Sequence, residues 1–316
     1  MKDVIKKYRK PLKLTAQLLL VAVIVWLMYG RLEAGFYQAI EKVNLFSWQI
    51  LTTVLIFSIA VMVSGLLWGR LVGQLDPAFR KIMPAESIKV HVLSWLLKYI
   101  PGQAGTVLSK MSWGAKNNLS KKVTASSLIY ENIFLASSSV LLAIPAVGLT
   151  ALVSFGEDPS LLIPLVMTIA VIPLLIPGIL MTIVNLGLNV LRRKPFDENH
   201  VLRPRQIIDN QLLYLLPRII NGIGFVVIVW FFYQPTVFES FQLVGAYALA
   251  GIVGILAIFV PSGIGVREAI IIVVAGPIIG YDVAAATAIV ARFCATLADV
   301  FLALFYSIIR FNNAKS

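Results

Sequence analysis

Long apolar runs are the feature that most restricts how this chain can fold. Residues 50–72, for example, contain a single charged side chain, Arg70. An α-helix needs about 20 apolar residues to cross the hydrocarbon core of a bilayer, where every backbone N–H and C=O must be paired within the protein. We therefore predict an all-α, polytopic membrane protein. Its predicted helices cover residues 14–30, 50–72, 123–150, 161–191, 206–233, 242–260 and 283–309.

The composition indicates one membrane domain that spans residues 1–316. Hydrophobic residues make up 59% of the chain and charged residues 13%, whereas soluble domains average about 45–50% and about 25%. No stretch is long enough to form a soluble core of its own. The length allows about seven to eight crossings. The short apolar run at 269–280 reaches only about 18 Å at 1.5 Å per residue, so we predict that it is re-entrant.

Few residues of this sequence are suited to catalysis or to cofactor binding. We place the two histidines, His91 and His200, in polar loops, and neither has a metal-ligand partner at a useful spacing. Cys294 is the only cysteine, which excludes an intrachain disulfide. No phosphate-binding loop or nucleophile motif occurs. We expect a protein that is not an enzyme and that has no metal site and no cofactor.

The basic residues lie where membrane topology would place them. The formal net charge is +12, and lysine and arginine cluster at residues 2–13, 80–122 and 192–205. Such residues concentrate in cytoplasmic loops and attract anionic lipid headgroups. We therefore predict a cytoplasmic N-terminus and membrane lipids as partners, and the pattern argues against nucleic-acid binding. The sequence leaves homo-oligomerisation open.

Two polar segments rich in proline and glycine interrupt the apolar pattern. We call "KYIPGQAGTVLSK" (98–110) the first break segment and "VPSGIGVREA" (260–269) the second. Both should interrupt helices, and broken backbone survives at membrane depth only beside protein or water. We predict that they face a wet cavity, with helix N-termini directed at an anion; ordinary cytoplasmic turns are the alternative. The candidate residues are Lys98, Pro101, Gly102, Gly105, Lys110, Pro261, Gly263, Gly265, Arg267 and Glu268.

The chain resembles a degenerate duplication. A shift of 160 residues aligns Pro101 with Pro261 and Gly105 with Gly265, and each half contains a helix, a break segment and a further helix. We therefore expect the two break segments to approach each other at the cytoplasmic face. This placement favours repeats related by an axis along the membrane normal over inverted repeats. The predicted halves are residues 1–160 and 161–316.

Four ionisable residues fall well inside predicted helices: Glu131, Arg218, Arg292 and Asp299. Each would cost at least about 2.5 kcal/mol if it were exposed to lipid, so all four should face inward. Two acids and two bases can form structural ion pairs. Alternatively, they line a path for a zwitterionic or anionic headgroup, and the sequence leaves both interpretations open.

Two ordered motifs carry a family resemblance. The first break segment followed by "KKVTASSLIYENIF", with Glu131, and "PSGIGVREAII" followed by "AAATAIVARF", with Arg292, resemble the motifs of the lysylphosphatidylglycerol synthase transmembrane, or flippase-like, family. One departure is Asn132, where the first motif usually has arginine. The resemblance implies a membrane domain like the one that moves aminoacylated phosphatidylglycerol in multiple peptide resistance factor proteins, here without the soluble synthase domain.

The resemblance and the break segments together predict a transporter in a prokaryotic cytoplasmic membrane. Its expected substrate is a phospholipid, an aminoacylated phospholipid or a polyprenyl-phosphate-linked lipid. The alternative is a membrane-embedded transferase or accessory subunit that acts on lipid-linked sugars.

Overall fold

The protein is helical throughout the part of the chain that the structure describes. This computed structural model describes residue 41 and residues 43–76, 83–99, 104–154, 202–256 and 263–313. A short 3₁₀ helix, Leu97–Tyr99, follows the second helix, and no strand occurs in these ranges. The all-α prediction is therefore confirmed. The helices are α1 Trp48–Leu75, α2 Pro84–Leu96, α3 Ala104–Lys116, α4 Lys121–Ser154, α5 Pro204–Leu213, α6 Leu215–Val229, α7 Val237–Leu256, α8 Val266–Ile279 and α9 Tyr281–Asn313.

Five helical stretches within the described ranges are long and apolar enough to cross a membrane. They match five of the helices predicted from the sequence, which confirms a membrane protein with multiple spans. The two other predicted helices, 14–30 and 161–191, lie outside the described residues. The five stretches are Trp48–Leu75, Lys121–Ile144, Pro204–Val229, Val237–Ile255 and Tyr281–Ile308.

Local sequence explains where several helices begin and end. The Ser47 side chain caps α1 by accepting the N–H three residues further along. Helices α2 and α5 begin at Pro84 and Pro204, where the missing proline N–H has no intrahelical partner to lose. Helices α5 and α6 are separated at Tyr214, because Pro217 cannot donate a hydrogen bond to the carbonyl four residues back.

The first break segment lies between two short helices, and the second precedes one short helix. Helices α2 and α3 have 13 residues each and α8 has 14. At 1.5 Å per residue they reach about 20 Å, which is too short to cross a hydrocarbon core of about 30 Å. Helix α2 packs against α3, and α8 packs against both α7 and α9. The sequence indicated only one short apolar run in this region, before residue 98. The structure instead has two short helices there, α2 and α3.

Helix boundaries repeat with the spacing found in the sequence. Helix α2 ends at Leu96 and α7 at Leu256, while α4 begins at Lys121 and α9 at Tyr281. Both pairs are separated by the same 160 residues that align the two break segments. Helix α1 packs against α2 in the first half, as α6 packs against α7 in the second. The two halves therefore have the same order of helices.

Small residues hold α1 close to α2. A Cβ atom on Gly69 would lie 2.5 Å from the Ser87 Cβ, and one on Gly65 would lie 2.9 Å from the Ile88 Cα. Glycines spaced four apart allow this approach of two helix backbones. The close contact fixes α2 so that His91 is buried inside the protein.

We predict that Gly263 tolerates no side chain. Its φ is +65°, and a Cβ would lie 2.7 Å from the carbonyl oxygen of Gly254. Gly280 is a matched control, because its φ is +85° and nothing lies within 4 Å of its added Cβ. Gly280 has φ +85° and ψ 143°, close to a region that is adopted almost only by glycine, so Gly280→Ala should cost about 1–3 kcal/mol from backbone strain alone. Gly263→Ala should cost at least about 2 kcal/mol more than Gly280→Ala because of the added clash. Thermal unfolding in detergent measures both, and equal losses would contradict the close contact.

Candidate functional site

A cavity lies between the two halves of the chain. Its volume is about 220 Å³, enough for on the order of 15 water molecules. Every helix named above except α5 contributes to its lining. Seven of the residues singled out from the sequence for their charge line it together. They are Lys98, Lys110, Glu131, Arg218, Arg267, Arg292 and Asp299.

The lining reflects the duplication. Several lining residues are related by the 160-residue shift, which places the cavity where equivalent parts of the two halves meet. Lys98 of the first break segment and Gly263 and Arg267 of the second line the same cavity, so the described parts of the two segments converge as predicted. The related pairs are Phe57 and Pro217, Val61 and Asn221, His91 and Gly251, Asn132 and Arg292, and Leu135 and Ala295.

The first charged cluster ties together three helices of the first half. Lys110, whose side chain is 1% exposed, donates to Glu131 Oε2 at 2.6 Å and lies 3.2 Å from His91 Nδ1. Its ammonium also lies 4.6 Å from the centre of the Trp68 ring. The second carboxylate oxygen, Glu131 Oε1, is 3.1 Å from His91 Nδ1 but makes no hydrogen bond. Lys110 and Glu131 therefore neutralise each other inside the protein.

The second cluster joins the two halves. Asp299 on α9 accepts hydrogen bonds from Trp95 Nε1 at 2.8 Å and from the hydroxyl of Tyr99. Lys98 Nζ lies 2.9 Å from Asp299 Oδ1 and 2.8 Å from Oδ2. Three donors from the five consecutive residues 95–99 thus converge on one carboxylate. Together they contact both of its oxygens.

Two arginines lie in the cavity without a carboxylate partner in the described parts of the chain. No salt bridge there involves Arg218 or Arg267. The Arg267 guanidinium stacks over Tyr247, 4.3 Å from the ring centre. Arg218 Nε donates to the carbonyl of Leu135 at 3.2 Å, while its Nη2 is buried and has no hydrogen-bond partner. Arg292 also lines the cavity.

Several predicted site residues lie away from the lining. Gly105 is buried on α3. Gly265, with φ +82°, precedes α8, and its N–H donates to Glu268 Oε2 at 2.6 Å. Glu268 therefore caps the helix that follows the second break, and one of the N-terminal amides expected to face an anion is already paired. Three further candidates lie outside the described residues: Pro101, Gly102 and Pro261.

Sequence reasoning missed some residues of the cavity. The prediction that His91 lies in a polar loop is wrong: it is on α2, 6% exposed, beside Glu131. Tyr247, Gly251 and Gly254 also line the cavity. Their spacing of four and three places them on one face of α7. An aromatic residue followed by two glycines at that spacing was a signal that the sequence did contain.

The lining carries an excess of positive charge. Five cationic side chains face two carboxylates, which leaves a formal excess of three positive charges if His91 is neutral. Among the described residues, no group of three His, Cys, Asp or Glu side chains is placed to hold a metal ion. The cavity therefore provides donors and positive charge, and both favour an anion.

The fold and the site define a polytopic helical membrane protein that has a charged internal cavity between two repeated halves. The sequence matches the family model described as "Lysylphosphatidylglycerol synthase TM region" over residues 14–303. The chain belongs to this membrane-embedded, lipid-related family, which confirms the expected resemblance. A comparison with curated proteins finds no match.

We predict that the Lys98–Asp299 pair stabilises the contact between the halves. Asp299→Asn keeps one acceptor oxygen in place of two for Trp95 and Tyr99, and it leaves the Lys98 ammonium without its counter-charge. Breaking a buried pair costs about 3–5 kcal/mol. Because the Lys98 side chain is 19% exposed, we expect a loss of about 2–3 kcal/mol.

The double variant Asp299→Asn with Lys98→Met removes the orphaned charge and should recover most of that stability. Thr296→Ala is the control, since its hydroxyl donates only to the Arg292 carbonyl of its own helix, and it should cost less than about 0.5 kcal/mol. Thermal unfolding in detergent compares the three variants. A double variant less stable than Asp299→Asn would mean that the ion pair is not what Asp299 contributes.

Proposed function

We propose that this protein is a flippase, which transports a lipid by passing its headgroup through the cavity. The observation that carries this proposal is the charged cavity of about 220 Å³ among helices of membrane-spanning length. A polar headgroup cannot cross hydrocarbon cheaply, whereas the acyl chains can stay in the bilayer beside the protein. The family description names a phospholipid synthase membrane region, which supports a lipid as the transported molecule.

The helix breaks fit a transport site better than a static scaffold. Interrupted helices near the bilayer midplane form substrate sites in many transporters, where repeated halves rock around a central cavity. Here both break segments supply residues to one cavity. The contact of Asp299 with Lys98 and Tyr99 joins the halves, so it is the contact that such rocking would have to break and remake.

The basic residues near equivalent connections favour inverted halves. The α1–α2 connection contains Arg80 and Lys81, and Lys116 and Lys121 flank the α3–α4 connection. The equivalent α6–α7 connection, residues 230–236, and the turn between α8 and α9 contain no lysine or arginine. Since basic residues mark the cytoplasmic side, equivalent connections lie on opposite sides of the membrane.

We therefore propose inverted repeats, in place of the parallel arrangement that the sequence favoured. In this arrangement α2 and α3 form a re-entrant hairpin that enters from the cytoplasmic side. Helices α7 and α8 form the equivalent hairpin from the outer side, and the two breaks meet near the bilayer midplane. The sequence alone had suggested a cytoplasmic position for both breaks, because the bounds of the short helices were not apparent.

The site of action that we propose is the cytoplasmic membrane of a prokaryote, with the N-terminus in the cytoplasm. The basic residues at 2–13 support this orientation. Membrane lipids are then the partners. Because the sequence contains no nucleotide-binding motif, the lipid gradient, an ion gradient or the membrane potential would drive transport.

The inverted arrangement predicts opposite accessibility of two exposed connections. In a Cys294→Ser background, Asn117→Cys places a thiol at the α3–α4 connection and Val237→Cys places one at the start of α7, where Val237 is 90% exposed. A membrane-impermeant maleimide should label the first from the cytoplasmic side and the second from the outer side. Labelling of both from the same side would show that the halves are parallel.

A filled cavity should block transport. Gly251 lines the cavity, and its added Cβ would meet only Arg218 Nη1, at 3.5 Å. Gly251→Ala should therefore keep at least about half of the transport rate, whereas Gly251→Leu should lower it at least about tenfold, since its larger side chain occupies the headgroup space. The assay measures labelled lipids in proteoliposomes by one-sided quenching.

Thermal unfolding confirms that both Gly251 variants are folded. Full activity of Gly251→Leu would mean that the cavity is not the path. No acceleration by the unmodified protein for any anionic, aminoacylated or polyprenyl lipid would contradict the flippase proposal itself. A transferase or accessory role on lipid-linked sugars would then be the interpretation to test.

A further inference from the structure

Two arginines that form no salt bridge in the described ranges lie against one face of α7. Tyr247, Gly251 and Gly254 follow one another along this face. The Arg267 guanidinium lies over the Tyr247 ring, and Arg218 Nη1 lies 3.5 Å from where a Cβ of Gly251 would be. Both cations therefore contact the same face of α7, and the absence of a side chain at Gly251 leaves space for Arg218. We call Arg218 and Arg267 together the arginine pair.

The arginine pair lacks an anion. In the described ranges no carboxylate forms a salt bridge with either side chain, and Arg218 Nη2 is buried without any hydrogen-bond partner. Both guanidinium groups line the same cavity, where like charges repel each other. Like charges that share a partly buried site are unfavourable unless an anion joins them. The chemistry that suits this site is therefore that of a negatively charged group.

The guanidinium geometry suits a phosphate group. The Arg267 guanidinium lies over the Tyr247 ring, a cation–π contact that does not use its N–H donors for conventional hydrogen bonds. Two such groups can donate several hydrogen bonds to the oxygens of one phosphate, in the bidentate manner that lysine cannot reproduce. The cavity of about 220 Å³ leaves room for the phosphate and for several waters.

The carboxylates of the cavity are already engaged by protein side chains. Glu131 pairs with Lys110, and Asp299 accepts from Lys98, Trp95 and Tyr99. Neither is therefore an open acceptor for a ligand ammonium group. An ammonium would also meet the excess positive charge of the lining, which opposes it.

We infer that the arginine pair binds the phosphate of a net-anionic lipid headgroup and discriminates against headgroups that also carry an amine. This inference rests on the proposed flippase function and specifies its substrate. Phosphatidylglycerol and polyprenyl phosphate have the required chemistry. Lysylphosphatidylglycerol, which the family description names, is net-cationic and does not. The substrate assigned to this chain therefore has a net charge opposite to that of lysylphosphatidylglycerol.

Binding to the purified, delipidated protein in detergent tests the assignment directly. The probes are phosphatidylglycerol, polyprenyl phosphate, lysylphosphatidylglycerol and phosphatidylcholine, with glycerol 3-phosphate and inorganic phosphate as the soluble arm. Native mass spectrometry and thermal-shift titration measure occupancy and affinity. We expect the two anionic lipids to bind at least about tenfold more tightly than lysylphosphatidylglycerol or phosphatidylcholine. Equal affinity for the aminoacylated lipid would overturn the inference.

Variants of the arginine pair identify the binding site. Arg218→Gln and Arg267→Gln should each weaken binding of phosphatidylglycerol at least about tenfold, and Arg267→Lys should recover only part of the loss, because lysine lacks the bidentate fork. Arg70→Gln is the matched control, since Arg70 is exposed on α1, and it should bind as the unmodified protein does. Unchanged binding in both pair variants would overturn the inference.

Stability in the absence of lipid separates a ligand site from a structural one. Each glutamine variant loses one structural contact, the hydrogen bond of Arg218 to the Leu135 carbonyl or the contact of Arg267 with Tyr247, but it also relieves repulsion between like charges. The melting temperature should therefore change by no more than about 4 °C. A larger fall for both glutamine variants would mean that the arginines act mainly as structural residues, which also overturns the inference. The Arg70→Gln variant again provides the reference.

Separate outcomes distinguish this inference from the proposed function. Selective binding of anionic lipids, without acceleration of their transport in proteoliposomes, would support the phosphate site and contradict the flippase. Acceleration of all lipids without preference would support the flippase and contradict the phosphate site. Binding of glycerol 3-phosphate or inorganic phosphate as tightly as phosphatidylglycerol would assign the site to a soluble phosphate and contradict the lipid headgroup.

Discussion

The cost of placing charge inside a membrane is the constraint on which the rest of this structure depends. Seven lysine, arginine, aspartate and glutamate residues line one cavity, although each would be unfavourable facing lipid. The protein accommodates them by converging its helices so that charges face one another and not the hydrocarbon. The helix breaks follow from the same constraint, since polar backbone at membrane depth must lie against protein or water.

The charges inside the cavity divide into two groups with different consequences. Glu131 and Asp299 neutralise Lys110 and Lys98, which ties α3 to α4 and the first half to α9. The sequence left open whether the four charges inside helices pair with one another, and in the structure the two acids pair with lysines instead. Arg218 and Arg267 form no salt bridge among the described residues and line the cavity.

The 160-residue correspondence between helices is also found in the cavity. Helix ends and cavity residues recur at the same 160-residue spacing, so equivalent surfaces of the two halves face each other. The equivalence is incomplete in chemistry: Arg292 corresponds to Asn132, and the position equivalent to Glu131 is Ala291. Two similar halves thus form a similar shape with unlike charges. Such a site can bind a ligand asymmetrically while the backbone keeps the symmetry that rocking requires.

The sequence by itself determined the membrane class, the five described spans to within about six residues and the two helix breaks. These properties are local, because the length of an apolar run and the backbone limits of proline and glycine do not depend on distant residues. Only the tertiary structure decided which charges pair. Asp299 and Lys98 are 201 residues apart, and their pairing depends on how α2 and α9 pack. The same packing buried His91 and left the arginine pair without a carboxylate partner in the described residues, because contacts between distant helices follow from the shapes of whole helix faces.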